Sequence, residues 1–305
     1  MITVLFATHN GEKTLPIMLD AFCRLEIPED GWEIIVVDNA SSDQSANIIK
    51  SYSDKLPINY LYEQKPGKNN ALNLGLSYAK GDLIVFTDDD IIPQQDWLVQ
   101  LVKCAHNHLD YSVFGGVIKP YWPREPEDWI LNHVPLGVTY ALTEDGRVEG
   151  EIFPGLVWGA NMSIRRTVFD SGYYFDDTVG PNGKNYVMGS ETEFTIRLGK
   201  AGYKSWFCKS AVVQHIIRDN QLEPEWIVNR AYRFGRNMYR QEYKYFDSKI
   251  PFLFGIPRWM FAKLLQQYNC YVMALVQGDV TKKWVALWEI QFIKGYFYES
   301  RVFNK

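Results

Sequence analysis

Three consecutive carboxylates, Asp88, Asp89 and Asp90, interrupt the apolar run from Leu83 to Pro93 (L-I-V-F-T-D-D-D-I-I-P). Like charges packed this closely raise at least one pKa or require a counter-ion. A hard divalent cation holding a diphosphate is the simplest partner, because such ions take carboxylate and phosphate oxygens together. If the run is extended throughout, side-chain alternation turns Asp88 and Asp90 to one side and Asp89 to the other. Asp88 and Asp90 are therefore the expected metal and nucleotide pair. The competing use of an Asp-rich strand end is to cap the helix that follows.

Other residues of the right chemistry stand at similar places. Asp38 ends the apolar stretch Trp32 to Val37, where a carboxylate can accept from a base N–H or a ribose hydroxyl, or stabilise its own turn. Thr8 and Asn10 follow the apolar stretch Ile2 to Phe6. Lys65 and Lys68 lie on a Pro-Gly loop before a helix, where backbone N–H groups already favour anions. Ser190-Glu191-Thr192-Glu193 opens another helix, with Ser190 as the expected N-cap and either glutamate available as a general base or as a partner of the helix dipole. His215 closes a strand-like segment from Tyr203 and is either a structural histidine or a neutral imidazole ligand. Trp122 and Trp129 could staple a surface excursion, and core packing is the default for a tryptophan such as Trp158.

These residues need a scaffold that brings strand ends to one edge. Short apolar runs at Ile2, Trp32, Ile58, Leu83 and Val113 alternate with segments of helical spacing after Thr14, Ser41 or Ser42, Asn69 and Pro93. That alternation predicts an α/β fold with a mostly parallel sheet, whose ligands bind outside the carboxyl ends of the strands. Residues 120–150 form a long proline-bearing connection suited to acceptor binding or a lid. Gly159 and Ala160 allow close backbone approach, and a Gly-rich loop runs from Val179 to Gly189. From about Asp219 strand alternation gives way to aromatic and basic helices around Pro224 to Arg240, Pro257 to Tyr271 and Lys282 to Tyr298. The expected division is a catalytic domain at 1–218 and a helical extension at 219–305, packing on that domain or against an anionic membrane surface.

The 305 residues are 47% hydrophobic and 22% charged, with 32 Lys+Arg against 36 Asp+Glu, a net charge of −4. That balance disfavours a nucleic-acid binder. Cys23, Cys104, Cys208 and Cys270 are scattered and are expected to be reduced thiols of a cytoplasmic protein. The first strand begins at once, leaving no room for a secretory leader, and no apolar stretch is long enough to span a bilayer.

Taken in order, six stretches resemble glycosyltransferase family 2. They are A-T-H-N at Ala7 to Asn10, V-V-D-N-A-S-S-D at Val36 to Asp43, G-K-N-N-A-L-N at Gly67 to Asn73, G-D-L-I-V-F-T-D-D-D at Gly81 to Asp90, G-A-N-M-S-I-R-R at Gly159 to Arg166, and G-S-E-T-E at Gly189 to Glu193. The resemblance implies a GT-A fold and transfer of one sugar, with inversion, from a nucleoside-diphosphate sugar, a UDP-sugar by preference, to a saccharide or lipid-linked saccharide. It implies nucleotide contacts at Ala7, Thr8, Asn10, Asp38, Lys68, Asp88 and Asp89. The Mn2+ or Mg2+ ligands would be Asp90, Asp88 and His215, and the base Glu191, which stands where the family usually has Asp. Trp158, Asn161 and Glu193 would support the acceptor. The Q-x-x-R-W signature of processive synthases is missing. A sugar nucleotidyltransferase and a non-catalytic carbohydrate- or partner-binding module are the competing functions.

Overall fold

A computed structural model describes residues 1–181, 186–242 and 251–303. Part of the predicted Gly-rich loop, residues 182–185, lies outside the described residues. The chain divides into two compact units: Met1–Tyr121 with Tyr140–Asn185 and Ser190–Ile216, and Trp122–Thr139 with Tyr186–Gly189 and Ile217–Lys305.

The first unit is built on one sheet. Its strands are β1 (Ile2–Thr8), β2 (Trp32–Asp38), β3 (Ile58–Tyr62), β4 (Leu83–Phe86), β5 (Ile91–Pro93), β6 (Val113–Tyr121), β7 (Gly150–Glu151), β8 (Met162–Arg165) and β9 (Ser205–Ile216). They lie in the order β3-β2-β1-β4-β8-β6-β9-β5, with β7 beside β9. Parallel pairing joins β1, β2, β3 and β4, and also β6 with β9, while β5, β7 and β8 pair antiparallel with their neighbours. The sheet is mostly parallel, as the alternation of strand and helix predicts. Its strands read as continuous apolar runs because both faces are covered: Val4, Leu5, Phe6, Ile34, Ile35, Val36 and Val37 are all fully buried.

Helices α1 (Leu15–Phe22), α2 (Ser45–Ser51), α3 (Lys68–Tyr78) and α4 (Trp97–Asn107) follow the first strands; α5 (Asp128–His133) and α6 (Leu136–Tyr140) lie in the 120–150 connection; α7 (Arg166–Asp170) and α8 (Ser190–Lys200) come later. One apolar chain fixes the spacing of the site. Phe86 at the end of β4 packs on Phe175, with ring centroids 5.2 Å apart, and Phe175 packs on Phe194 of α8 at 4.3 Å. Offset and edge-to-face aromatic contacts of this kind are rigid, so the start of α8 is held at a set distance from the end of β4.

Several expectations are corrected. The acidic triplet does lie beyond the carboxyl end of a strand, but it is not extended: β4 stops at Phe86, the chain turns at Asp89 and Asp90, and β5 then pairs antiparallel with β9. A turn ends strict side-chain alternation, so the argument that faced Asp88 and Asp90 together fails. Neither Ser41 nor Ser42 caps a helix, since α2 starts at Ser45 after Gln44. Ser190 is the first residue of α8, and its hydroxyl donates to Glu191 Oε2 at 2.8 Å. Cys104 on α4 and Cys208 on β9 form a disulfide, whereas Cys23 and Cys270 are exposed thiols. The pairing is invisible in the sequence because 104 residues separate the partners.

The second unit contains α9 (Pro224–Glu242), α10 (Arg258–Gln277) and α11 (Val280–Val302), with a small hairpin of β10 (Phe252–Leu253) and β11 (Ile256–Pro257) before α10. Helices α9 and α11 approach so closely that a Cβ on Gly235 would collide with the carbonyl of Phe292, and one on Gly295 with the carbonyl of Tyr232. The same pair is tied by Glu299, fully buried on α11, which accepts from Arg236 Nε and Arg240 Nε at 2.6 Å each. Among the described residues no helix is long and apolar enough to cross a membrane.

Two outcomes follow from this packing. Gly295→Ala should lower stability by about 1–3 kcal/mol in urea unfolding, because backbone on the facing helix cannot yield as a side-chain tip can. In unfolded, unreduced protein, alkylation should label Cys23 and Cys270 and reach Cys104 and Cys208 only after reduction, as read by mass.

Candidate functional site

The parallel register sets Thr8 beside Asp38 and Leu5 beside Phe86, so the residues after β1, β2 and β4 meet at one edge of the sheet. Thr8 and Asp38 are both buried there. The Thr8 hydroxyl donates to Asp89 Oδ2 at 2.5 Å, which ties the first strand end to the acidic turn. Asp38 accepts from the Ser41 backbone N–H and the Tyr60 hydroxyl, both at 2.9 Å, so it holds its own turn as the structural alternative expects. Burial and this carboxylate push Tyr60 up to about 12.

The three aspartates have three different partners. Lys68, the first residue of α3, donates from Nζ both to Asp88 Oδ1 and to Glu191 Oε1, the latter at 2.6 Å. A cation at a helix N-terminus opposes the dipole, so two carboxylates are needed to make the position favourable. Burial works against the Lys68 charge, and the two carboxylates outweigh it and raise its pKa. For Glu191, burial pushes the carboxyl up, but the Lys68 ammonium and the hydrogen bonds from Lys68 and Ser190 hold it below the usual range. Glu191 is thus held as the carboxylate. Its side chain lies against Gly159, where a Cβ would overlap its Cγ and carboxyl carbon.

Asp90 and His215 form the second cluster. His215 Nδ1 lies 2.7 Å from the Tyr140 carbonyl, an acceptor only, so Nδ1 carries a proton and the ring is oriented with Nε2 toward Asp90. That Nε2 is 3.2 Å from Asp90 Oδ1. Burial disfavours the charged ring, while the Asp90 carboxylate, its hydrogen bond and the nearby Asp88 charge raise the pKa of His215 above its ordinary value.

A carboxylate oxygen facing an imidazole nitrogen with its ring oriented from behind is a donor set that suits a divalent cation as well as a proton. Among the described residues no three His, Cys, Asp or Glu side chains gather as a metal cage. Of the three expected ligands, the structure joins Asp90 with His215 and commits Asp88 to Lys68.

The remaining expected residues are dispersed. Asn161 is fully buried; its Oδ1 accepts from Trp97 Nε1 at 2.9 Å and its Nδ2 donates to the carbonyls of Val117 and Ala211 at 3.0 Å. It supports β6, β9 and α4, with its amide fully engaged away from any acceptor. Glu193 pairs with Arg197 one turn along α8 at 2.9 Å, which separates it from Lys68 and distinguishes it from Glu191. Asn10, with φ of 57°, binds Ser42 through its side chain, and half-buried Ala7 stands beside Val37 in the sheet. Trp158 is half-buried next to Gly159, and among the described residues its buried indole N–H has no hydrogen-bond partner.

A sequence profile described as "Glycosyl transferase family 2" matches residues 3–172. The chain belongs to this family. A glucosyl-dolichyl phosphate glucuronosyltransferase of Haloferax volcanii is 29% identical over 178 residues, 54% of this chain and 55% of the relative. The probable glycosyltransferase YdaM of Bacillus subtilis is 26% identical over 225 residues, 69% of this chain and 49% of the relative. These matches span about half the length of the relatives. Among solved structures, the mannosyltransferase PcManGT of Pyrobaculum calidifontis, in complex with GDP-Man and Mn2+, superposes with a TM-score of 0.63 at 16% identity, covering 100% of this chain and 88% of that one. Staphylococcus aureus TarS 1-349 with UDP-GlcNAc gives a TM-score of 0.55 at 13% identity, covering 99% and 91%. At such identities the likeness is one of fold, and it agrees with the GT-A architecture expected of family 2.

One residue of this family 2 site escapes a reading of its motifs. Asn39 is buried and donates to the carbonyls of Glu63 and Lys65 at 3.0 and 2.8 Å, while its Oδ1 accepts from the Gly67 N–H at 2.8 Å. It therefore shapes the loop that delivers Lys68. The available signal is an amide, with donor and acceptor ends, directly after a strand.

Lys68→Met should leave Asp88 and Glu191 facing each other without their cation. The expected loss is about 2–3 kcal/mol in urea unfolding at pH 7, under the range for fully buried pairs because some solvent reaches these side chains. In the wild type the depressed Glu191 pKa stabilises the fold above roughly pH 4 and that contribution fades as pH falls through the folded value. The gap between wild type and variant should therefore narrow in acid, as Glu191 protonates.

Proposed function

We propose that this chain transfers a single sugar from a nucleoside-diphosphate sugar to an acceptor hydroxyl, with inversion and with a divalent cation. The observation that carries the reading is the pairing of Asp90 with His215 beside a Lys68-bound Glu191. The four carboxylates Asp88, Asp89, Asp90 and Glu191 stand against the Lys68 ammonium and the His215 ring, which leaves an excess of negative charge whether or not the ring is protonated. A diphosphate entering so negative a place needs a cation, and Asp90 and His215 are the residues that would hold it. When bound, that cation supplies Lewis-acid stabilisation of charge on the departing nucleoside diphosphate.

The chain's own groups do the rest. Glu191 accepts the acceptor hydroxyl's proton as its oxygen attacks the anomeric carbon and the bond to the diphosphate breaks. Lys68 keeps Glu191 ionised and holds one carboxylate oxygen, with Ser190 holding the other. Among the described residues Asp88 is committed to Lys68 and Asp90 to His215, which leaves Glu191 as base with no carboxylate assigned as covalent nucleophile and supports direct displacement with inversion, by analogy with hydrolases. Thr8, Asp38 and Asp89 border the nucleotide end, and the unsatisfied indole N–H of Trp158 is a donor for an acceptor oxygen. Relatives named for GDP-Man, UDP-GlcNAc and dolichyl phosphate support a nucleotide-sugar donor and a saccharide or lipid-linked saccharide acceptor, in surface polysaccharide or glycolipid synthesis; UDP-sugars are the first donors to test.

With donor, acceptor and Mn2+ the protein should release nucleoside diphosphate; pyrophosphate as the sole product would identify a nucleotidyltransferase instead. Glu191→Gln should reduce kcat by about 10²–10⁴ while still binding donor with Mn2+, the scale of a lost general base. Asp90→Ala should lose the Mn2+-dependent thermal shift by donor that the wild type shows. Donor binding without turnover in the wild type would leave only a binding module, and unchanged turnover in both variants would overturn these residue roles.

A further inference from the structure

Helix α10 buries little of itself. Only Met260 and Ala274 are fully buried, with Leu264, Gln267 and Tyr271 half-buried on the same face. Away from them runs an apolar stripe with helical spacing: Leu265 is 68% exposed, Val272 54% and Val276 78%, with Tyr268 and Leu275 beside them. Phe254, 84% exposed in the preceding hairpin, and Trp259, 55% exposed in the first turn, extend the apolar surface at the start of the helix. A helix of 20 residues is about 30 Å long, so this is a substantial exposed strip. Gly278, in the left-handed conformation, ends α10, and Asp279 caps α11 by accepting from the Lys282 N–H at 2.9 Å, which makes a tight helical hairpin.

The charge of this hairpin is opposite to that of the chain. From 258 to 283, Arg258, Lys263, Lys282 and Lys283 stand against Asp279, 4 − 1 = +3, and counting Glu289, which pairs with Lys263, leaves +2, whereas the whole chain carries −4. Arg258 lies one heptad before Leu265 on the exposed face. Lys282 borders the groove between α10 and α11 together with Met273, Cys270 and Gln277. Pairing of two copies through this stripe about a two-fold axis would bring cationic hairpins together, a repulsive arrangement. An interfacial helix of apolar face and basic flanks instead suits a surface of anionic lipid.

We propose that the exposed face of α10 docks the protein flat on an anionic lipid bilayer, with Leu265, Val272 and Val276 entering the headgroup boundary and Arg258, Lys282 and Lys283 facing lipid phosphates. The proposal does not depend on the catalytic reading, and its test needs no turnover. Full-length protein is mixed with vesicles of phosphatidylcholine alone or with phosphatidylglycerol, and partitioning is read by sedimentation. The wild type should bind the mixed vesicles better than the neutral ones, and less as salt is raised from 0.1 to 0.5 M. The double variant Leu265→Gln with Val276→Gln should lower partitioning about tenfold or more, as expected when two exposed apolar side chains lose their burial. Arg258→Glu with Lys283→Glu should abolish the preference for phosphatidylglycerol. Matching thermal melts would show that both variants remain folded. Absence of wild-type binding, equal binding to both kinds of vesicle, or undiminished binding by the double variant would overturn the proposal. A wild type of twice the monomer mass by light scattering that falls to monomer in the double variant would assign the stripe to a second copy and overturn it too.

Discussion

The site depends on one ammonium group placed between two carboxylates. Lys68 joins α3 to the acidic turn and to the start of α8, three segments far apart in the chain, and each would repel or drift without it. Its position is unfavourable for a helix start, so the fold keeps it there only because Asp88 and Glu191 converge on it. The Asn39 amide and the Phe86–Phe175–Phe194 aromatic contacts serve that convergence, one by shaping the loop before Lys68 and the other by fixing the separation of the carboxylates.

The layout of this scaffold is largely legible in the sequence, because buried parallel strands must be apolar and their polar termini must mark the binding edge. Ile58–Tyr62 is read residue for residue, and the ends of β1 and β2 run only one or two residues further than their apolar runs. The internal order of the site is less legible. That the strand from Leu83 stops at the carboxylates is legible, whereas the turn at Asp89 and Asp90 is not, because three like side chains in a row carry no sign of where an extended chain bends. Glu191 and Glu193 look equivalent in a first helical turn; only the tertiary approach of Lys68 to one and the Arg197 pairing of the other tell them apart. Asn161 has the same composition-level appearance whether its amide holds a ligand or a scaffold, and here it joins β6, β9 and α4.

The helical unit obeys a different rule. Where α9 meets α11 the glycines remove side-chain bulk and a buried Glu299 collects two arginines, so packing is close and polar at once. Replacing such a buried ionic cluster by apolar residues often leaves stability unchanged, which makes register the better explanation for its presence. On α10 the opposite holds, since apolar side chains face outward. A single helical sequence therefore presents one face satisfied within the fold and one that is not.

The link between Cys104 and Cys208 bears on where such a protein can persist. Thiol exchange requires a thiolate to reach a sulfur, yet Cys208 is wholly buried and Cys104 nearly so. Glutathione therefore gains access only when β9 or α4 opens. The redox state of the compartment matters chiefly while the chain is being made, and after closure the bond is guarded by burial rather than by its surroundings, so cysteine usage alone does not assign a cellular address.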